Sequence, residues 1–233
     1  MKIEGELIEG RFIKRLNRFE AEVEIEGTKE LVHVPNTGRL RELLIENAVV
    51  LVRKFDNPNR KTKFGLLFVR KGEIWVSIDS ANLPNRIVYE SLKTNAFEQF
   101  AAYSEIRREV TLLNSRFDFG LFGGEHEYYI EVKGVTLVED RQAFFPDAPT
   151  TRGTRHLEEL VNIKLSGKGA GVIFIVQRED ADVIKPNDRT DKEFGTALRN
   201  AKKAGVDLFA YVCKIDVDQK QVNIIKSIPV VLD

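Results

Sequence analysis

Residues 115–135, which read SRFDFGLFGGEHEYYIEVKGV, decide the fold of the C-terminal part of the chain. The segment 116–122 is rich in aromatic and apolar residues, and the segment 126–135 alternates and is β-prone. Gly123-Gly124 lies between the two segments, as expected at the turn of a β-hairpin. The stretch therefore predicts two antiparallel strands joined by a glycine turn.

The alternation of side chains along these strands predicts a cluster of charged groups. On the first strand we expect Phe117, Phe119 and Leu121 on one face and Arg116 and Asp118 on the other. On the second strand Glu131 and Lys133 share one face, opposite the one shared by Ile130, Val132 and Tyr128. Pairing of the two apolar faces then brings three polar side chains together: Asp118, Glu131 and Lys133.

Two carboxylates and an ammonium at the end of paired strands suit a hard divalent cation, Mg²⁺ or Mn²⁺. We predict Asp118 and Glu131 as metal ligands, helped by the carbonyl of Val132, with Lys133 orienting or deprotonating the attacking water. Glu90, on a preceding helix, is predicted as an accessory acid. The alternative is two exposed strands with solvated charges, because Glu-x-Lys spacing is common in a chain that is 31% charged.

This arrangement resembles the PD-(D/E)xK nuclease core, with Asp118 as the aspartate and Glu131-Val132-Lys133 as the E-x-K. The chain departs from that pattern in one place, since Phe117 and not proline precedes Asp118. The predicted order of the second domain, residues 83–233, is helix, three strands, helix, strand, helix, strand. The same order is found in the PD-(D/E)xK core and favours a nuclease-like α/β domain with a mixed sheet.

Composition limits the possible partners. Lys+Arg and Asp+Glu both number 36, so binding of nucleic acid requires a local basic patch. The single cysteine, Cys213, excludes an internal disulfide and lies in an apolar run that predicts a buried thiol. No apolar run reaches the length of a membrane span, and the chain start has no signal-peptide pattern, so we expect a cytoplasmic protein without a membrane partner.

Residues 1–82 are predicted as a small OB-like β-barrel that binds nucleic acid. We expect Phe12 and Phe19 in the barrel core and arginines in contact with phosphate, the alternative being a solvated strand face. The predicted strands are 7–16, 19–25, 30–34, 48–55, 64–70 and 74–77, with a short helix at 40–44. The predicted DNA contacts of this domain are Arg11, Lys14, Arg15, Arg18 and Arg39.

Two helix starts in the second domain carry further signals. Arg152, Arg155 and His156 stand at the N-terminal end of one predicted helix, where free N–H groups and the helix dipole favour phosphate. The alternative for His156 is a cap or a packing role. Thr190 and Glu193 have capping-box spacing and predict the start of another helix.

Several short strings are distributed over nearly the whole chain. They are RLNRF at 15–19, HVPNTGRL at 33–40, SRFDF at 115–119, IEVKGVTL at 130–137, FPDAPTTRG at 145–153 and RHLEEL at 155–160. Together these strings resemble the sugar fermentation stimulation protein A family. The resemblance implies a DNA-binding protein connected with regulation of sugar catabolism, with an N-terminal OB-like domain and a C-terminal nuclease-like domain.

Three functions follow as hypotheses. The first is a DNA-binding protein whose second domain is a Mg²⁺- or Mn²⁺-dependent nuclease. The second is a non-catalytic DNA-binding regulator of sugar (maltose) metabolism that uses a nuclease-like fold. The third is a sugar-responsive effector, which the family name suggests and no pocket motif supports. No helix-turn-helix or zinc signature is present, so we expect low sequence specificity, and a homodimer is possible.

Overall fold

The first six strands form a sheet that closes into a barrel in the computed structural model, which describes residues 1–57, 59–80, 82–112 and 114–233. Their order is β3-β2-β1-β4-β5-β6. A parallel pairing of β3 with β5, at Val32 with Phe64 and at His33 with Gly65, closes the ring. The strands are β1 (Leu7–Arg15), β2 (Glu20–Ile25), β3 (Thr28–His33), β4 (Val49–Lys54), β5 (Phe64–Lys71) and β6 (Ile74–Ser77).

This is the predicted OB-type barrel, five strands closed around an apolar interior, with β6 added as a hairpin partner of β5. Phe12 is inside, as predicted, and is 2% exposed. Phe19 is 49% exposed, so its predicted core position is wrong. Phe19 precedes β2 in the connection from β1, where the alternation of the strand does not yet apply.

The predicted helix at 40–44 is also wrong. Residues 41–43 form one hydrogen-bonded turn, in which the carbonyl of Leu40 accepts the N–H groups of Leu43 and Leu44. Leu40 has a φ of 51°, outside the right-handed helical region. Its apolar side chain is nevertheless buried in the barrel, which accounts for the apolar pattern that suggested a helix.

The rest of the chain forms a mixed sheet with helices on both faces. The six-stranded sheet has the order β15-β14-β12-β9-β8-β7, and β12 runs parallel to both β9 and β14. A second sheet has the order β10-β11-β13. The elements are α1 (Leu83–Lys93), a 3₁₀ turn (Glu98–Phe100), β7 (Glu105–Leu112), β8 (Ser115–Gly123), β9 (His126–Val135), β10 (Leu137–Glu139), β11 (Gln142–Phe145), α2 (Thr151–Leu165), β12 (Gly169–Val176), β13 (Val183–Pro186), α3 (Lys192–Lys203), β14 (Asp207–Asp216) and β15 (Gln221–Ser227).

Two apolar clusters cover the two faces of the large sheet. One contains residues of α2 and α3, and the other contains residues of α1. The second cluster also contains Leu51, Leu67 and Phe68 of the barrel. Burial of shared apolar surface therefore fixes the barrel against the α1 face of the sheet.

The predicted hairpin is confirmed, with β8 and β9 paired antiparallel from Phe119–Ile130 to Gly123–His126. The prediction that Phe117 shares a face with Phe119 is wrong. Phe117 contacts the rings of Tyr129 and His156 in the α2 cluster, whereas Phe119 stacks on Tyr89 of α1. The β8–β9 ladder ends between the two phenylalanines, so the regular alternation ends there as well.

The start of α3 also differs from the prediction. Asp191 is the N-cap and its carboxylate accepts the N–H of Phe194 at 2.9 Å. Thr190 instead accepts a hydrogen bond from the side-chain amide of Asn187. Cys213 is buried, as predicted. Within the described ranges, the helices are all too short or too polar to cross a membrane.

Candidate functional site

Asp118 lies where β8 leaves its ladder with β9. Its Oδ2 accepts the main-chain N–H of Val132 at 2.7 Å, and its Oδ1 accepts the side-chain amide of Asn85 at 2.8 Å. Asn85 belongs to the first turn of α1. Strand β9 and helix α1 thus hold the carboxylate in a single position.

Glu131, on β9, is only 4% exposed. Its Oε1 is 2.5 Å from Nζ of Lys133 and 2.7 Å from Nδ1 of His156 on α2. The contact of His156 lacks the geometry of a hydrogen bond and is electrostatic. Among the described residues, the buried Oε2 of Glu131 has no hydrogen-bond partner.

The environments of the two carboxyls move their pKa values apart. Burial raises the pKa of Asp118, and the negative charge of Glu131 raises it further. Burial also opposes ionisation of Glu131, but the charge of Lys133 and the contact with His156 outweigh it and lower the pKa of Glu131. Two carboxyl groups that share a site generally have pKa values that differ in this way. Glu131 is therefore the carboxylate that stays ionised, and Asp118 takes up a proton first as the pH falls.

These residues fit a divalent cation. The buried Oε2 of Glu131 accepts no hydrogen bond from the part of the chain that the structure describes, and such burial is costly unless something compensates the charge. Asp118 and Val132 line the same cleft as Glu131. In the described ranges no three or more His, Cys, Asp or Glu side chains group closely enough to form an all-protein cage. Mg²⁺ commonly binds through one or two carboxylates and keeps several waters.

The cleft above these residues has a volume of about 550 Å³ and is lined from both halves of the molecule. The barrel supplies Arg18, Phe19, His33 and the loop 35–38. The second domain supplies the site residues and the loop 144–153. The candidate site is therefore at the junction of the barrel and the mixed sheet, and a ligand in it contacts both.

Arg15 organises the barrel side of this cleft. Its guanidinium donates to five main-chain carbonyls at 2.6–3.1 Å, which uses every N–H donor that an arginine has. The carbonyls belong to Asn17, Arg18, Asn36, Gly38 and Arg39. Arg15 thus joins the β1–β2 connection to the PNTGR loop and has no donor left for a phosphate.

Asp147 joins that loop to the second domain. Its carboxylate lies so close to Gly38 that a Cβ atom there would collide with it. Burial raises the pKa of Asp147, and the main-chain N–H groups of Arg39 and Leu40 and the charge of Arg15 act in the opposite direction. The FPDAPT and PNTGR strings are therefore the two sides of one contact between the domains.

The structure brings together some of the predicted site residues and separates others. Asp118, Glu131, Val132 and Lys133 line one cleft, together with Arg18 and Arg152. Glu90 is not among them, and its carboxylate is 3.4 Å from the amino group of Met1. Four predicted DNA contacts lie elsewhere on the surface: Arg39 lies beside the cleft, Arg11 lies near Asn47, Lys14 faces Glu22, and Arg155 is exposed on α2.

His156 is 1% exposed, so a phosphate cannot reach it in this structure. The Nε–H of Arg152 donates to its Nε2 at 3.3 Å, so Nε2 is the acceptor and the ring N–H is on Nδ1, the nitrogen that lies 2.7 Å from Oε1 of Glu131. Sequence reasoning missed this contact and the role of Asn85. Asn85 follows proline at a helix start, and no local pattern connects it with an aspartate 33 positions later.

The fold and site define a class of protein with an OB domain followed by a restriction-endonuclease-like domain. A family model described as the SfsA N-terminal OB domain matches residues 13–78, and one described as the sugar fermentation stimulation protein RE domain matches residues 82–219. The chain belongs to the sugar fermentation stimulation protein family.

Similar proteins cover the whole chain. A sugar fermentation stimulation protein homolog of Acetivibrio thermocellus is 67% identical over 232 residues, with 100% of both chains covered. A homolog of Clostridium acetobutylicum is 50% identical, again over 100% of both chains. The solved structure of Pyrococcus furiosus SfsA in complex with Ca²⁺ matches with a TM-score of 0.90 and 26% identity, covering 99% of each chain. That relative was thus solved with a divalent cation.

Proposed function

We propose that this protein binds DNA in the cleft between its two domains and hydrolyses a phosphodiester bond there with Mg²⁺ or Mn²⁺. The observation that carries the proposal is the Oε2 of Glu131, a buried carboxylate oxygen that has no hydrogen-bond partner among the described residues and lies beside a second carboxylate, Asp118. A surface that only held DNA would gain nothing from these two groups, because they repel phosphate.

The ion would be held by Asp118, Glu131 and the carbonyl of Val132. The Ca²⁺ complex of the Pyrococcus furiosus relative supports a divalent cation in this fold. When bound, such an ion would lower the pKa of a coordinated water and stabilise the charge that develops on the phosphate. It also turns a site that repels phosphate into one that attracts it.

The surrounding side chains have separate roles in this proposal. Lys133 keeps Glu131 ionised and carries N–H donors that can orient the attacking water. Arg152 fixes the tautomer of His156, which in turn holds Glu131, in the way that outer-shell partners orient metal ligands. Asn85 holds Asp118 from the other side.

Arg18 and Arg39 are the best placed contacts for the DNA backbone. Both are exposed beside the cleft, and within the described part of the chain neither guanidinium donates a hydrogen bond or forms an ion pair. Because the chain has no net charge, this local patch would provide the electrostatic attraction. Contacts to phosphate alone do not distinguish sequences, which agrees with the low specificity predicted above.

One observation favours the second candidate, a non-catalytic DNA-binding regulator of sugar metabolism. Lys133 is in close contact with Glu131, and both oxygens of Asp118 already accept hydrogen bonds. The three polar groups therefore also stabilise one another. In this alternative the same cleft and arginines bind DNA, and the carboxylates have a structural function.

Cleavage assays separate the two candidates. The full-length protein, Asp118→Ala and Lys133→Ala would be incubated with plasmid, single-stranded and branched DNA in Mg²⁺ or Mn²⁺, and Mn²⁺ binding would be measured by calorimetry. We expect Asp118→Ala to lose Mn²⁺ binding and cleavage. Lys133→Ala should keep Mn²⁺ and DNA binding but lose cleavage. Wild-type protein that binds Mn²⁺ and DNA yet cuts none of these substrates would leave the regulator as the better proposal.

A further inference from the structure

Phe19 is an exposed aromatic residue on a rigid piece of backbone at the mouth of the cleft. Its N–H donates to Oδ1 of Asn17 at 2.8 Å, and its carbonyl accepts the N–H of Val34 at 2.8 Å. Its side chain is 49% exposed and lines the same cleft as Asp118 and Glu131. A large aromatic ring that is held in this position by its backbone is available to stack on a ligand in the cleft.

A basic depression adjoins this part of the cleft, and we call it the basic rim. It is lined by Arg15, Arg18 and Arg39 with residues 16–17, 37–38 and 148–149, none of them acidic. It shares Arg18 and the loops 37–38 and 148–149 with the cleft. A polyanion on the basic rim therefore lies next to the cleft that Phe19 and the two carboxylates line.

We infer that the DNA in this cleft is single-stranded, with its phosphates on the basic rim and an unpaired base stacked on Phe19. The inference rests on the proposed function and adds the form of its substrate. An aromatic ring beside a basic groove is the usual arrangement for sequence-independent binding of single strands, since every base has a π-face. In a duplex the base faces are covered by neighbouring bases, so Phe19 would have no surface to stack on.

The size of the cleft agrees with this inference. Its volume of about 550 Å³ lies within the range of roughly 300–1,000 Å³ typical of pockets for small ligands. Its walls come from the barrel on one side and from the loop 144–153 on the other. A volume of this size is enough for one or two nucleotides of a flexible strand.

A binding experiment in Ca²⁺ without catalytic metal tests the inference separately from cleavage. Fluorescein-labelled oligothymidine and a blunt duplex of mixed sequence would be titrated with the full-length wild type, Phe19→Ala and Phe19→Trp. Ile225→Ala is the matched control, because Ile225 is 47% exposed on β15 and lines neither the cleft nor the basic rim. A single strand containing 2-aminopurine would report stacking through quenching of its fluorescence.

We expect Phe19→Ala to weaken binding of the single strand roughly 5- to 100-fold, the range that loss of one base–aromatic stack gives, and to abolish the quenching. Phe19→Trp should retain both, and Ile225→Ala and duplex binding should change little. Single-strand affinity and quenching that are unchanged in Phe19→Ala would overturn the inference and leave the proposed function intact. Wild type that binds neither DNA would contradict the proposed function and the inference together.

Discussion

The carboxylate of Asp118 accepts the main-chain N–H of Val132 at 2.7 Å, so a side chain of β8 takes a bond that a ladder carbonyl would otherwise make. The regular pairing of β8 and β9 ends at Phe119 and Ile130. Beyond that pair, strands β8 and β9 are joined through the carboxylate of Asp118 instead of through two main-chain groups. The end of the ladder thus places an acidic group beside Glu131 and Lys133, where a regular sheet would have paired backbone.

Metal binding should depend on pH through Asp118. Its pKa is raised, first by burial and then by the charge of Glu131, so it holds a proton at a pH where an exposed aspartate is ionised. A cation must displace that proton, and we expect Mn²⁺ affinity to rise with pH through the raised pKa and to level off above it. Calorimetry in buffers of different ionisation enthalpy would show proton release on Mn²⁺ binding.

Asn85→Ala gives an internal control for that dependence. Loss of the amide donor removes a contact that lowers the pKa of Asp118, so the rise in Mn²⁺ affinity should move to higher pH. Proton release that is absent at mildly acidic pH would contradict the assignment of Asp118 as the protonated partner of the pair.

His156 should act on the metal site and not on DNA. His156→Ala removes one of the contacts of Glu131 Oε1, and we expect Mn²⁺ affinity to fall about 10- to 100-fold, the range found for outer-shell partners of metal ligands. DNA affinity without metal should be unchanged, because the ring is buried. Arg155→Ala is the control, one position away on the same helix and exposed. Loss of metal-free DNA binding in His156→Ala alone, in a protein with unchanged thermal stability, would restore His156 as a phosphate contact.

The features that could be predicted from the sequence are those whose pattern lies within one short segment of the chain. The hairpin at 115–135 was predictable because glycines, alternation and apolar content all lie within one short segment. The grouping of Asp118, Glu131 and Lys133 followed from the hairpin, although the regular alternation expected along β8 is interrupted at Phe117. The spacing of Glu131 and Lys133 was sufficient to predict that they share a face, because residues two positions apart on a strand point to the same side.

The contacts that join different elements were not predictable in the same way. Asn85 reaches Asp118 from α1, His156 reaches Glu131 from α2, and Asp147 reaches Gly38 across the two domains. Arginine-rich composition predicted phosphate contacts for the β1–β2 region. It could not separate Arg15, whose guanidinium donors all bond main-chain carbonyls, from Arg18, whose guanidinium donates no hydrogen bond within the described ranges. Such distinctions depend on tertiary geometry and leave no periodic signal.

The contact of Gly38 with Asp147 should be measurable as a coupling between the domains. Gly38→Ala places a methyl group against the buried carboxylate, and we expect a loss of about 1–3 kcal/mol of stability from overpacking. Asp147→Ala removes the obstacle, so Gly38→Ala should cost much less in that background. A double-mutant cycle of thermal unfolding gives the coupling, and two effects that simply add would show that the loops do not touch in solution.

Substitution of Arg15 should lower stability and substitution of Arg18 should weaken DNA binding, although the two residues are three positions apart in the same basic segment. Arg15→Ala leaves five carbonyls without their donor, and we expect a loss of about 2–3 kcal/mol in stability, near the upper range for a charge-assisted hydrogen bond. Arg15→Lys should not restore the stability, because an ammonium cannot reproduce the planar fork of a guanidinium.

Arg18→Ala should leave the melting temperature unchanged, weaken DNA binding and lower the slope of log affinity against log salt by about one. Arg11→Ala, away from the cleft and the basic rim, is the control and should change neither quantity. Fluorescence anisotropy across a salt series and thermal unfolding would be measured on the wild type and these four variants. An unchanged salt slope in Arg18→Ala, or a stable Arg15→Ala with normal affinity, would contradict this division of roles.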